Sequence, residues 1–251
     1  MKICFLGTGT STGVPELGCN CRVCKSEDHR DKRLRTSILI ECNGRKLLFD
    51  CGPDFRQQML TENNRHIDAV FITHEHYDHT GGLDDLRPFS KGHPLPVFAE
   101  ENVSRKLKQR MPYCFGQSNY PGVPNLQLKE ISTEEMFFCG IKIIPIRVMH
   151  GKLPILGFRV GNFAYLTDMT GMPDSEYQKL QGLDLLVIAA LRKKMHNTHQ
   201  NYDEALAQID KIKPDRSLLI HASHDLGLHL EVSKELPASV ELSYDGLVIE
   251  I

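Results

Sequence analysis

Short apolar runs recur along the whole chain and are separated by polar segments. Runs of this length, rich in β-branched and aromatic residues, predict buried strands. The predicted strands are Ile3–Leu6, Ser37–Glu41, Lys46–Phe49, Ala69–Ile72, Ile141–Val148, Phe163–Leu166, Leu185–Ala189, Ser217–Ile220 and Leu247–Ile251. The dipeptide Asn43-Gly44 separates two of these runs, which predicts a tight hairpin turn.

Several segments between the strands carry charged faces and residues that favour helices. These predicted helices are Asp54–Thr61, Glu100–Arg110, Ser175–Leu180 and Tyr202–Ile212, the last of which Asn201 or Asp203 would cap. Strands mixed with helices predict an α/β or α+β layered domain. The loosest stretch, Met111–Pro124, predicts a long surface loop. Because candidate site residues come from both sides of it, we interpret residues 1–251 as a single domain.

Composition and charge limit the classes of function. The chain has 251 residues, of which 41% are hydrophobic and 25% charged, and its formal net charge is −2. No basic field of the kind that drives nonspecific nucleic-acid binding is expected, so we do not expect a nucleic-acid partner. The first residues form too short an apolar stretch for a secretory signal, and no run reaches the length of a membrane span. We therefore expect a cytoplasmic protein with no membrane partner, whose eight cysteines serve as thiols or metal ligands.

The densest cluster of metal-ligand residues lies directly after the apolar run Asp68–Thr73. His74, His76, Asp78 and His79 are four metal-ligand residues within six positions. Residues two apart do not share a helix face, so His74 and His76 converge on one ion only from a strand end or loop. Asp78 and His79 can then face a second ion. The segment predicts half of a binuclear metal centre.

Three more candidate ligands also follow apolar runs directly. His150 follows Ile141–Met149, Asp168 follows the run that ends at Thr167, and His221 follows Ser217–Ile220. A single histidine or aspartate after a strand is usually a turn residue. Together with the first cluster, these three predict the remaining ligands of the same centre.

A second dense cluster is formed by Cys19, Cys21 and Cys24. Three thiols so close in sequence can share one tetrahedral ion, and one further ligand closes a structural zinc site. His29 and His224 are both candidates for that ligand. Redox chemistry at Cys21-x-x-Cys24 is the competing interpretation, but no helical dithiol context supports it.

The order His-x-His-x-Asp-His, then His, Asp and His, resembles the metallo-β-lactamase superfold. The resemblance implies a four-layer αβ/βα sandwich with the metals at one edge. It implies that His74, His76 and His150 bind one ion, that Asp78, His79 and His221 bind the second, and that Asp168 bridges them. Asp50 matches the early aspartate of the superfold, and it would orient the ligand side chains without binding the ions itself. Nitrogen and oxygen ligands suit Zn, Mn or Fe.

One branch of the superfold is a closer match. Leu6–Pro15, the three cysteines, the pair His221-x-x-His224 and Tyr244-Asp245-Gly246 resemble the phosphoribosyl 1,2-cyclic phosphate phosphodiesterases of bacterial phosphonate breakdown. The resemblance implies that Cys19, Cys21, Cys24 and His224 hold one structural zinc. It also makes a homodimer plausible.

Two divalent metals, Zn or Mn, suit in-line displacement at phosphorus. We expect a metal-bridging hydroxide to hydrolyse a small cyclic or nucleotide-like phosphodiester such as phosphoribosyl cyclic phosphate, with Asp78 and Asp168 in catalytic positions. His199 matches the additional active-site histidine of the family, and we predict that it contacts the phosphate or acts as general acid. His196 is the alternative for that role. Arg192, Lys193 and Lys194 are candidates for holding an anionic substrate.

Other functions compete with this prediction. A tRNA 3′-processing endonuclease shares the metal motif but would need an extended basic arm, for which Arg105–Pro124 is short. Carbon-centred hydrolysis, of the lactamase or thioesterase type, and a binding protein without activity are further alternatives. Among the remaining histidines and cysteines, His66, His93 and His229 are predicted to be surface residues, and Cys4, Cys42, Cys51, Cys114 and Cys139 core thiols.

Overall fold

A computed structural model describes residues 1–64, 66–116 and 122–251. The strands in it are β1 (Lys2–Gly7), β2 (Ser37–Cys42), β3 (Arg45–Phe49), β4 (Ala69–Phe71), β5 (Leu95–Ala99), β6 (Leu126–Glu130), β7 (Met136–Phe138), β8 (Ile141–His150), β9 (Leu153–Val160), β10 (Phe163–Leu166), β11 (Leu185–Ala189), β12 (Arg216–Ile220), β13 (Val240–Leu242) and β14 (Val248–Glu250). They form two sheets of seven strands each, in the orders β14-β1-β2-β3-β4-β5-β6 and β13-β12-β11-β10-β9-β8-β7.

The α-helices are α1 (Phe55–Thr61), α2 (Tyr77–Thr80), α3 (Glu101–Arg110), α4 (Pro112–Phe115), α5 (Tyr202–Ile212) and α6 (His229–Glu235). Short 3₁₀ helices cover His29–Asp31, Leu83–Ser90, Asp174–Leu180 and His224–Leu226. Helix α5 begins with a capping box, in which Asn201 and Glu204 each accept from the other's backbone N–H. No helix among the described residues has both the length and the apolar character needed to cross a membrane.

Alternation along the strands divides the apolar residues between two faces of each sheet. In β2, Ile38 and Ile40 point into the core between the sheets, whereas Leu39 points to the outer face. Aromatic rings fill the central core, where Phe49 and Phe71 stack with their centroids 5.1 Å apart. The two sheets therefore pack face to face around one continuous core.

Helices cover both outer faces. Residues of α1, α3 and α4 pack on the first sheet, and residues of α5 and α6 pack on the second. The layers are thus helix, sheet, sheet and helix, and the predicted four-layer αβ/βα sandwich is confirmed.

Some elements differ from their predictions. The strands β5, β6, β7, β9 and β13 were absent from the predicted set. Ser175–Leu180 is a 3₁₀ rather than an α-helix, and α4 lies within the predicted loop Met111–Pro124. Residues 117–121 of that loop lie outside the described residues. The predicted hairpin is confirmed, because Asn43 and Gly44 both have positive φ, at 51° and 72°.

The strands converge on one edge of the sandwich, and the chain turns sharply there. Asp50, Asp168 and His221 follow β3, β10 and β12, and each has a left-handed backbone, with φ of 61°, 53° and 61°. Aspartate and histidine tolerate this conformation better than most residues, but it remains costly. The turns carry polar side chains from both sheets to the same place.

Candidate metal centre

Three histidines gather at the end of β4 and β8. The ring of His76 lies 4.5 Å from that of His74 and 5.1 Å from that of His150, measured between centroids. His74 Nε2 and His76 Nδ1 are 3.0 Å apart. One nitrogen from each ring falls within a sphere small enough for a single ion, so this group could hold a metal.

A second group adjoins the first and consists of Asp78, His79, Asp168 and His221. All four are buried. His79 Nε2 lies 3.2 Å from Asp78 Oδ2, and it is a buried nitrogen without a hydrogen-bond partner among the described residues. A buried ring nitrogen that faces carboxylates and makes no hydrogen bond is what a metal ligand requires, so this group also fits a divalent ion.

Asp168 stands between the two groups, and its two oxygens face different ones. Oδ2 lies 4.0 Å from His74 Nε2 in the first group. Oδ1 lies 3.2 Å from His79 Nε2 and 3.1 Å from His221 Nδ1 in the second. A carboxylate in this orientation can offer one oxygen to each of two neighbouring ions.

Hydrogen bonds behind the site fix which nitrogen of each ring is free. Thr73 Oγ1 donates to Asp50, so it accepts from His74 Nδ1 at 2.9 Å, which leaves His74 Nε2 free to bind a metal. Asp50 Oδ2 accepts from His79 Nδ1 at 2.8 Å and also from the Tyr165 hydroxyl at 3.1 Å. Asp50 therefore orients two candidate ligands without lying among them.

Hydroxyls also line the ring of His221. Thr10 Oγ1 lies 3.3 Å from its Nε2 and Thr36 Oγ1 lies 3.2 Å from its Nδ1. Sequence reasoning missed these two threonines, as well as Thr73 and Tyr165. Threonine and tyrosine are common residue types, and only the fold brings them to the site, so no pattern in the sequence marks them.

The charges of the site are unbalanced toward the carboxylates. Burial lowers the pKa of His79, but Asp168, Asp78 and Asp50 together hold it well above its usual range. Burial likewise raises the pKa of Asp168, but His221 and His79 hold it well below its ordinary value. Buried carboxylates crowded around one imidazole form a site in which a divalent cation would balance the charge.

His199 lies beside both histidine groups. Its ring centroid is 4.5 Å from that of His150 and 5.1 Å from that of His221, and its Nδ1 is 3.9 Å from Asp168 Oδ2. Burial, followed by the charge of His221, lowers the pKa of His199 to about 3. Together with His150 and Asp168 it forms a further group that could hold a metal, an alternative that the sequence did not indicate.

His196 lies beside His199, and the centroids of the two rings are 5.2 Å apart. The neighbouring basic residues are engaged elsewhere. Arg192 donates to the carbonyls of Lys194 and Met195, and Lys193 pairs with Glu235 at 2.5 Å. Lys194 is exposed. The basic run therefore braces its own loop and the neighbouring helix α6 more than it faces the metal ligands.

The segment His74–Thr80, called the metal loop below, is held from outside by α3. Arg110 Nη1 donates to Glu75 O at 2.9 Å and to Thr80 Oγ1 at 3.1 Å, and Lys106 pairs with the Glu75 carboxylate. Thr80 Oγ1 also donates to His76 O at 2.8 Å. Two basic side chains thus satisfy polar groups at both ends of the loop, which the sequence did not indicate.

The cysteine cluster forms a separate site. The ligand atoms of Cys19, Cys21, Cys24 and His224 all lie within 4.8 Å of one another. Cys24 Sγ lies 3.3 Å from His224 Nδ1 and accepts from Glu16 N at 3.4 Å. Three thiols and one imidazole form a donor set that fits tetrahedral zinc. The other predicted candidate, His29, instead packs against Tyr244 at 5.9 Å.

A polar network surrounds the buried side chain of Arg33. Arg33 Nη1 donates to Thr8 Oγ1 at 2.8 Å, and Thr8 Oγ1 donates to Asp245 Oδ1 at 2.7 Å. Arg33 Nη2 lies 3.4 Å from His229 Nδ1. The prediction of His229 as a surface residue is wrong, because it is buried against Arg33 and Tyr244. The prediction of Cys139 as a core thiol is also wrong, because Cys139 is exposed in a turn.

Comparison with known proteins gives a family and three informative relatives. The profile of the beta-lactamase superfamily domain matches residues 45–222. The crystal structure of a new diphosphatase from the PhnP family superimposes with a TM-score of 0.93 at 40% identity, covering 99% of this chain and 96% of that one. This similarity extends through both candidate metal sites.

Two relatives known by sequence carry different names. An octanoyltransferase of Porphyromonas gingivalis is 47% identical over 98% of this chain and 51% of its own length. A ribonuclease Z of Bacillus licheniformis is 30% identical over 73% of this chain and 55% of its own length. The chain therefore spans about half the length of these two proteins.

Proposed function

The chain belongs to the beta-lactamase superfamily, and we propose that it is a binuclear metal-dependent hydrolase that cleaves a P–O bond in a small phosphodiester, including diesters of diphosphate. The first ion would be held by His74, His76 and His150, and the second by Asp78, His79 and His221. Asp168 would be shared by both ions. Zinc and manganese both suit these donors.

One observation carries the proposal. The two oxygens of Asp168 face different histidine groups, at 4.0 Å from His74 Nε2 and 3.2 Å from His79 Nε2. A shared carboxylate is what sets two ions side by side, and paired ions suit displacement at phosphorus. A site for one ion at Asp78, His79 and His221 would use one oxygen of Asp168, whereas here the other oxygen faces the His74 group.

Hydrolysis joins a water oxygen to phosphorus and breaks the bond from phosphorus to the leaving oxygen, which then needs a proton. Two bound divalent ions would lower the pKa of a coordinated water and neutralise charge on the phosphoryl oxygens. The chain's own part is to orient the ligand rings and to contact the phosphate. Asp50 and the Thr198 carbonyl hold ligand rings in one tautomer. His199 is close enough to the centre for its neutral ring to donate a hydrogen bond to a phosphoryl oxygen, and the proton released by the attacking water would go to the leaving oxygen.

Similarity supports a small substrate with phosphorus as its reacting atom. The PhnP-family diphosphatase is similar over nearly all of both chains, whereas the ribonuclease Z match covers 55% of that enzyme. A long basic arm for gripping RNA is not present among the described residues between β5 and β6, which form α3 and α4. Both points favour a small phosphodiester over tRNA.

Octanoyl transfer is the second candidate, because the P. gingivalis octanoyltransferase is 47% identical to this chain. The match covers 51% of that protein, so about half of it lies outside the similarity. The similarity does not show which part of that protein transfers the octanoyl group, whereas the PhnP-family diphosphatase is similar over nearly all of both chains. We therefore propose that this chain hydrolyses phosphoesters and does not transfer octanoyl groups.

A substrate panel tests the proposal. Purified protein loaded with Mn or Zn should hydrolyse bis(p-nitrophenyl) phosphate and a diester of diphosphate. It should leave a β-lactam, pre-tRNA and an octanoyl thioester unchanged. The double variant that combines His74→Ala with Asp168→Ala provides the background rate of contaminating enzymes. Absence of phosphodiester turnover with every metal, or octanoyl transfer faster than phosphodiester hydrolysis, would overturn the proposal.

A further inference from the structure

The loop that carries His199 is closed at its base. Leu191 N donates to Gln200 O at 3.2 Å, and Tyr202 N donates to Arg192 O at 2.9 Å. Arg192 also donates across the loop to Met195 O at 2.9 Å. A loop with paired ends and an internal brace holds its side chains in fixed positions relative to the sheet.

Within this loop, hydrogen bonding fixes the tautomer of His196. Thr198 N donates to His196 Nδ1 at 3.3 Å, and Thr198 Oγ1 lies at the same distance. A backbone N–H can only donate, so Nδ1 must be the unprotonated acceptor. The proton of the neutral ring therefore sits on Nε2. Among the described residues, this Nε2–H has no hydrogen-bond partner.

The position of His196 relative to the centre is equally defined. Its ring is 5.2 Å from that of His199, which in turn is 4.5 Å from that of His150. His196 is therefore one side chain further from the metal ligands than His199. Arg192 adds a positive charge to the same loop, offset in part by Asp225 at 3.8 Å.

Resting on the proposed function, we propose that His196 Nε2–H binds the phosphoryl group next to the one that is attacked, and so selects substrates with two adjacent phosphoryl groups. The histidine pair would then span a diphosphate, with His199 over the reacting phosphorus and His196 over its neighbour. A substrate with a single phosphorus would leave His196 unused. This assigns specificity to a residue outside the metal ligands.

The experiment compares two substrates across three variants. A hydrogen bond to a charged group is worth roughly 1.5–3 kcal/mol, or about 10- to 150-fold. His196→Ala should lower kcat/KM for a diphosphate diester by at least about 10-fold, mainly through KM, and change that for bis(p-nitrophenyl) phosphate less than about 2-fold. His196→Gln can still donate from its amide and should recover part of the loss. Met195→Ala, in the same loop and exposed, should change neither substrate.

Binding provides a readout without turnover. Calorimetric titration of the metal-loaded protein with P,P′-dimethyl methylenediphosphonate, which cannot be hydrolysed at its bridge, should give tighter binding than dimethyl phosphate. His196→Ala should remove that preference. If bis(p-nitrophenyl) phosphate is hydrolysed but His196→Ala affects both substrates equally or neither, this inference fails and the proposed function stands. If no phosphodiester is hydrolysed, the proposed function itself fails.

Discussion

His150 and Thr198 are joined by a hydrogen bond of 2.6 Å, in which the ring Nδ1 donates to the backbone carbonyl. A carbonyl can only accept, so the bond fixes the proton on Nδ1 and leaves Nε2 of His150 free to bind a metal. The same residue, Thr198, lies between His196 and His199. One candidate metal ligand and two candidate substrate contacts are therefore held by the same loop, and their relative positions depend on it.

Removal of the shared carboxylate should abolish activity. Asp168→Ala takes away an oxygen from each ion's coordination, so we expect kcat to fall by about 10³-fold or more and the metal content of the centre to drop. Phosphodiester turnover and elemental analysis of the purified variant measure the two effects. Asp174→Ala changes an exposed carboxylate whose side chain is 94% accessible, and should behave as wild type. Turnover of the Asp168 variant near the wild-type rate would mean that Asp168 is not shared.

Loss of one thiol should remove one metal and weaken the fold without emptying the active site. Cys19→Ser breaks the four-ligand set, so we expect one fewer zinc per chain and a large drop in melting temperature, since structural zinc contributes folding free energy directly. Cys139→Ser is the matched control, because Cys139 is exposed and lies outside the cluster. It should keep both its zinc content and its melting temperature. Loss of the two active-site ions in the Cys19 variant would contradict the division of ligands.

The contacts from α3 should tune metal affinity. Arg110→Ala removes donors from Glu75 O and Thr80 Oγ1, so the metal loop should become less ordered and bind metal about 10- to 100-fold more weakly, as for other residues that orient ligands. Competition with a chelator measures the affinity. Lys108→Ala provides the control on the same helix, because the salt bridge that Lys108 makes among the described residues is with Glu130, at 3.9 Å. Equal affinities in the two variants would show that the Arg110 contacts do not order the loop.

The free energy of unfolding should depend on pH through Asp245 and His229, two groups near Arg33 whose contributions change with pH in opposite directions. Burial raises the pKa of Asp245 to about 6, so its contribution to stability is full below about pH 4 and is lost as pH rises to 6. Burial, followed by the charge of Arg33, lowers the pKa of His229 to about 4, so its contribution is full above about pH 6.5 and is lost as pH falls. In the wild type the two slopes oppose each other between pH 4 and 6.

Substituting Asp245 or His229 one at a time should reveal the separate contribution of each to the pH dependence of the free energy of unfolding. Relative to wild type, Asp245→Asn should gain stability as pH rises from 4 to 6, by up to about 3 kcal/mol, because only the wild type loses the Asp245 contribution there. His229→Gln should lose stability relative to wild type over the same range. Urea unfolding of the metal-loaded proteins at several pH values gives the differences. Parallel pH curves for wild type and both variants would show that neither group is perturbed.

The candidate metal ligands could be predicted because local features of the sequence mark them. His74, His76, Asp78 and His79 are dense in sequence, and His150, Asp168 and His221 each end an apolar run, where strands of one sheet share an edge. The layered αβ/βα fold could be predicted from the mixture of predicted strands and helices, and from the resemblance of the ligand order to the metallo-β-lactamase superfold. These features depend on residue type and spacing alone.

The residues that hold the candidate ligands in place could not be predicted. They lie in segments distant in sequence, and they belong to residue types that are common throughout proteins. Thr36 reaches His221 across 185 positions, and Arg110 reaches Glu75 across 35. His229 is buried against Arg33 and Tyr244, which come from segments distant in sequence. Two of the missed strands, β5 and β9, contain proline, and β9 also contains glycine, residues that weaken strand signals in sequence. Two others, β7 and β13, are only three residues long.

Anomalous diffraction from crystals of the metal-loaded protein tests the central claim most directly. We expect two peaks beside Asp168, one near His74, His76 and His150 and the other near Asp78, His79 and His221, with one Asp168 oxygen directed at each. A third peak, at the zinc edge, should lie among Cys19, Cys21, Cys24 and His224. A single peak at the histidine cluster, or two peaks without Asp168 between them, would contradict the account.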